Sequence, residues 1–213
     1  MALPRGRHTL TAGEVEADQR GRMLAAVGGV LAERGYARAT VSDILERSGV
    51  SRRTFYEQFE DKDDCLFVAY DDAERRVWVA AMAAVAGTPA RDWPGRVHAA
   101  LGAVLEFVVA EPDTARLFTL EARAAGPEMG ARHSAALDRV AAALRAGNRH
   151  VVARELSAAG PGGVPPLPES TEHTLVGNVA ALIGSYVLSG ATELLPGLEP
   201  QLAEHLLASR GPR

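Results

Sequence analysis

The chain has 213 residues, 47% apolar and 23% charged, which excludes a wholly disordered chain, a collagen-like chain and a disulfide scaffold. Its length allows one large domain or two modest ones. The net charge of −4 means that any contact with nucleic acid must come from a local basic patch, not from the whole molecule.

In chain order, residues 1–15 read as a flexible tail, and the first 20 residues carry no apolar run of the secretory type. From about Glu16 to Arg34, the positions Met23, Leu24, Val27, Val30 and Leu31 follow the spacing of an amphipathic helix. Gly35 then fits a helix C-cap. Gly28 and Gly29 lie inside this helix and read as close packing; no strand precedes them, as a phosphate loop would need. Thr40-Val-Ser-Asp43 is a variant capping box that opens a short helix to Ser48, with Val41, Ile44 and Leu45 as its apolar face. Gly49 breaks it. Ser51 caps a second short helix over 52–58, and Asp61 and Asp64 start a long one to about Ala86. Further helices are expected near 91–110, 113–125, 128–158, 170–190 and 199–209, with a loop over 160–168. The expected fold is therefore all-α, with about nine helices: a tail over 1–15, a DNA-binding domain over 16–64 and a helical ligand-binding and dimerisation domain over 65–213.

His173–Thr192 contains no Asp, Glu, Lys or Arg, a length that invites a membrane reading. Its asparagine, histidine, serines, threonines and three glycines favour a buried helix instead. Cys65 is the only cysteine, so no internal disulfide forms and a reducing, cytoplasmic setting fits. It reads as a packed residue.

The segment 40–59 has the layout of a helix-turn-helix: a capped short helix, a glycine, Val50 and a second short helix. Between Arg47 and Tyr56 there are three arginines and no acidic residue. Basic residues at the start of a projecting helix can reach base edges and phosphates together. On pattern alone, an αα-hairpin with a solvated basic face stays open beside this reading.

The run Gly35-Tyr36, Thr40-Val41, Asp43-Ile44, Gly49-Val50-Ser51, Tyr56, Phe59 and Lys62 resembles the N-terminal domain of TetR-family transcriptional repressors. The resemblance covers about 18–66. It implies that Thr40 and Tyr56 donate hydroxyls to phosphates, and that Lys62 clamps a phosphate with the N-terminal amides of the long helix. It also implies that Arg52, Arg53 and Thr54 face the groove, with Ser51 and Gln58 completing the interface. Phe55 and Phe59 are expected in the core. Gln58 stands where the family often has histidine, and Gly28 where a larger apolar residue is common.

The resemblance further implies a homodimer, an operator of double-stranded DNA and a small-molecule effector, most simply as a repressor released by an apolar or amphipathic molecule. Trp78, Met82, Phe107 and Phe118 are candidate pocket residues. Family members dimerise through their last two long helices, so Gly177, Ala181, Gly184, Ser185 and Leu188 on one face of 170–190 are candidates for the dimer seam. The alternative is a helical small-molecule-binding or interaction protein without regulatory DNA binding. No metal spacing, P-loop, nucleophile elbow or acid–base constellation is visible, so neither a cofactor nor an enzymatic activity is expected.

Overall fold

A computed structural model describes residues 11–121, 124–159 and 170–208. Every regular element among them is a helix. The expected loop over 160–168 and the first ten residues of the tail lie outside the described residues. Residues 1–69 form one compact unit and residues 70–213 another.

The first unit contains α1 (Ala12–Arg34), α2 (Val41–Ser48) and α3 (Arg52–Gln58), with the start of α4 (Lys62–Ala86). Helix α1 begins earlier than its apolar pattern predicts. Thr11 and Glu14 form a capping box: the Glu14 amide donates to the Thr11 hydroxyl at 3.3 Å and the Thr11 amide to the Glu14 carboxylate at 2.7 Å. These bonds satisfy helix-end amides that would otherwise lack partners. Residues 12–15 are thus helix, not tail. Met23, Val27, Val30 and Leu31 of this helix are buried, as are Ile44, Phe55, Phe59 and Leu66. Gly29 leaves room for the Arg47 guanidinium, the flexible end of a side chain, which lies where its Cβ would stand. Arg47 there pairs with Glu33.

Helix α4 passes from the first unit into the second between Ala69 and Tyr70. The second unit continues with α5 (Trp93–Ala110), α6 (Pro112–Arg116), a π-helical turn (Leu117–Glu121), α7 (Pro127–Ala159), α8 (Ser170–Ser189), a 3-10 turn (Thr192–Leu198) and α9 (Glu199–Leu207). In place of the single helix expected over 113–125, α6 begins with Pro112 at its first turn and gives way to the π turn. Pro196 sits inside the 3-10 turn, whose shorter hydrogen-bond reach suits a proline-broken stretch. Leu101, Leu105 and Val108 from α5 meet Leu144 from α7, Val176, Val179 and Ile183 from α8, and Leu195, Leu202 and Leu206. No described helix is long and apolar enough to cross a membrane. The uncharged run after Glu172 supplies much of this core instead.

Trp93 locks α5 to α7. Its indole Nε1 donates to Asn148 Oδ1 at 2.8 Å, and its ring lies where a Cβ on Gly147 would stand. Gly130 on the same helix has open space at that position. Gly147→Ala should therefore destabilise the protein by about 1–3 kcal/mol through overpacking and shift the tryptophan emission. Gly130→Ala should be neutral or stabilising by up to ~1 kcal/mol, through helix propensity. Thermal melts of the two variants check the contrast.

Candidate nucleic-acid interface

The first unit presents α3 on a prepared support. Thr40 caps α2: its hydroxyl accepts from the Asp43 amide at 3.3 Å and donates to the Asp43 carboxylate at 2.7 Å. Those bonds, with Arg34 3.1 Å from Asp43, hold the Asp43 carboxyl below its usual range, the hydroxyl bond being the main cause. Gly49 closes α2 at φ 67°, a left-handed conformation that L side chains seldom adopt. Arg22 on α1 donates to the Ser48 carbonyl at 2.9 Å and fixes the turn. Ser51 then caps α3 by accepting from the Thr54 amide at 3.1 Å. Phe55 and Phe59 are buried, so α3 faces outward with Arg52, Arg53, Tyr56 and Glu57, all exposed.

This is a helix-turn-helix with an outward-facing second helix, and its sequence and fold both have relatives. Residues 24–69 match the family described as bacterial regulatory proteins, tetR family. Residues 24–69 form a TetR-family domain. Comparison with curated protein sequences finds no match. Among solved structures, the fatty acid degradation regulator FadR from Bacillus halodurans is similar at a TM-score of 0.77 and 18% identity, over 92% of this chain and 97% of that one. FadR from Bacillus subtilis, solved in complex with stearoyl-CoA, is similar at 0.71 and 16%, over 89% and 98%. A tetR-family regulatory protein from Rhodococcus RHA1 is similar at 0.69 and 18%, over 92% and 98%. At these identities the likeness is one of fold.

Within the TetR domain, the expected contact residues divide into two groups. Arg52, Arg53 and Tyr56 are exposed on α3, the Arg53 side chain by 89%. Arg52 donates to Ser42 Oγ at 2.9 Å, and Arg53 Nε donates to Glu57 at 2.9 Å. Thr54 is half-buried, with its hydroxyl 3.0 Å from that of Ser51. Gln58 is also half-buried, and its Oε1 is enclosed without a hydrogen-bond partner. The hydroxyls of Thr40 and Ser51 serve as caps. That local demand competes with the phosphate contact expected of Thr40, because its proton already goes to Asp43.

Lys62 differs most from expectation. Its Nζ donates to the carbonyls of Tyr36 at 3.1 Å and Ala39 at 3.2 Å and lies 4.3 Å from the centre of the Tyr36 ring. Tyr36 in turn donates its hydroxyl to Asp63; burial and that bond raise its pKa. The amides of Asp63 and Asp64 donate to Asp61 Oδ1 at 2.8 and 2.9 Å. The anion site at the start of α4 is therefore filled by the chain's own carboxylate. Lys62 sits among Glu60, Asp61, Asp63 and Asp64, which repel a phosphate. In this geometry Lys62 ties down the loop that carries Thr40, and a phosphate contact would compete with those two bonds. The neighbouring Cys65 is buried, and burial pushes its thiol pKa up to about 12.

In the second unit, the four candidate pocket residues are not brought into one cavity. Trp78 lines an open groove of about 440 Å³ with Asp71, Glu74, Arg75, Arg132, Ala135 and Arg139. Met82 is exposed. Phe107 lies under the Arg76 guanidinium at 5.4 Å, and Phe118 stacks on Tyr70 at 4.5 Å. The groove is crossed by ion pairs, Arg132 to Asp71 at 2.8 Å and Arg139 to Glu74, so it is polar where the sequence reading expected an apolar lining. Among the seam candidates on α8, Ala181, Ser185 and Leu188 are exposed and Gly177 is half-buried. Gly184 is buried, with its Cβ position 3.5 Å from Thr119. It packs within its own chain and leaves the stripe, which Leu182 completes.

Two outcomes follow for the TetR domain. Lys62→Met keeps the stem but removes both carbonyl bonds, and should destabilise the DNA-free protein by about 1–3 kcal/mol. An unshifted melting curve without DNA would refute the loop tie. Cys65 should resist thiol reagents at pH 8 in the native protein and react fully after unfolding, because thiolate is the reactive form.

Proposed function

We propose that the protein is a homodimeric, ligand-responsive transcriptional regulator that represses from a near-palindromic operator. In this reading it works in the cytoplasm and leaves DNA when a small amphipathic molecule binds. One observation carries it: a TetR-family domain holds α3 with two arginines and a tyrosine exposed on one face, above a fully used apolar face. Basic side chains at the start of such a helix serve phosphates and base edges together.

The exposed stripe on α8 supports the dimer. Leu188 is 63% exposed and Leu182 37%, with the small exposed residues Ala181 and Ser185 beside them. Small residues allow close helix approach, and a two-fold pair of α3 helices calls for two half-sites about one helical turn apart. The effector class draws support from the stearoyl-CoA in the Bacillus subtilis FadR structure. The continuity of α4 from Lys62 to Ala86 through both units supports a coupling of effector and DNA. A coupling of ~1–3 kcal/mol would loosen DNA ~5–150-fold, and operator DNA would weaken effector binding by the same factor.

Selection from a random duplex library should recover a near-palindrome, and failure to enrich any sequence would refute the reading. Leu188→Asp should yield monomers by light scattering and lose most DNA affinity with the loss of bivalency; an intact dimer would exclude this stripe. Long-chain acyl-CoA, titrated with and without operator, should bind more weakly when operator is present.

A further inference from the structure

We infer that Arg53 and Glu57 form one base-reading unit on α3, in which Arg53 takes a guanine and Glu57 accepts from the amine of a neighbouring cytosine. The inference rests on the DNA-binding reading above and gives Glu57 a role in it.

The two side chains are joined by a 2.9 Å bond from Arg53 Nε to Glu57 Oε1 and are 89% and 55% exposed. They share the outward face of α3 with Arg52 and Tyr56. Helix stability does not account for this order of charges. The partial positive charge of a helix N-terminus favours acids, and that of the C-terminus favours bases. An intrahelical pair is also better with the acid first. Helices α1 and α2 obey: Glu14 and Asp43 stand in their first turns, Arg34 and Arg47 in their last. Helix α3 has no acid in its first turn and no base in its last. It carries Arg52 and Arg53 at its positive end and Glu57 near its negative end.

The same order suits a DNA groove. With Nε engaged by Glu57, both Nη groups of Arg53 remain as a fork, the shape that matches guanine O6 and N7. Glu57 holds that fork in place. Its second oxygen accepts from an exocyclic amine, which in the major groove cytosine and adenine present and thymine does not; the N7 acceptor beside adenine's amine repels a carboxylate, which leaves cytosine. A carboxylate brought toward phosphates weakens binding to every sequence and recovers the loss only where that amine is present. Glu57 thus acts by discrimination against other sequences, not by adding affinity. Arg52, tied to Ser42 on α2, is held apart from this pair.

The test is library selection with the full-length wild type, Glu57→Gln, Arg53→Ala and the double variant. Glu57→Gln is isosteric, and its melting curve verifies the fold. Wild type should select half-sites with a guanine and a cytosine at fixed spacing. Glu57→Gln should lose the cytosine preference by roughly 5–150-fold and bind random duplex more tightly than wild type. Arg53→Ala should lose the guanine preference, and the double variant should lose less than the two single losses combined, because the residues act as a unit. If wild type enriches an operator and Glu57→Gln enriches the same one with equal stringency, the inference falls and the DNA-binding reading stands. If wild type enriches nothing, both fall.

Discussion

A seven-residue helix has no stability of its own in water, and the interface rests on one of that length, Arg52–Gln58. Everything around α3 compensates for this. Ser51 satisfies an amide at its start. Phe55 and Phe59, one turn apart, are buried and lie 5.4 Å from each other. Burying a phenylalanine contributes on the order of 1.5–3 kcal/mol, so these two rings outweigh any propensity of the intervening residues. With the inward face committed in this way, the outward face is free to carry charges in an order that the helix itself disfavours.

The loop and the turn on either side of α2 are held by side chains that donate to carbonyls. Arg22 takes the carbonyl of Ser48, and Lys62 takes those of Tyr36 and Ala39. Arg22 thus satisfies a carbonyl in the last turn of α2 and Lys62 two in the loop after α1, where regular bonding runs out. The placement of α3 thus depends on few contacts, several of them made by cations whose residue type alone suggests a role on DNA.

That ambiguity marks where the sequence could be read and where it could not. The capping signature at Thr40, the glycine at 49, the cap at Ser51 and the inward phenylalanines were all legible, because each is a local rule with a single geometric solution. The box at Thr11 obeys the same rule and lies just before the apolar periodicity that drew attention to α1. The structural role of Lys62 was not legible because its partners are backbone oxygens 23 and 26 residues away, and carbonyls carry no sequence signal. Trp78, Met82, Phe107 and Phe118 share a composition but not a location. On Ala-rich helices with several possible faces, periodicity alone did not tell which aromatic ring turns inward, or that arginine–carboxylate pairs would line the groove at Trp78. Gly184 was assigned to the outer stripe by spacing, yet the π turn that carries Thr119 covers it.

Lys62 is the only lysine in this sequence, and its amine is bonded to two carbonyls. All other side-chain cations of the DNA-facing unit, histidine aside, are guanidinium groups, which stay protonated at any pH a cell reaches. The electrostatic surface offered by α3 is therefore of fixed strength. Acylation, the common enzymatic route for cancelling positive charge, has no ε-amine on this helix to act upon. In the regulator proposed above, control over when this surface holds DNA would then come from geometry, through where α3 is placed, and not from acylation of the surface itself.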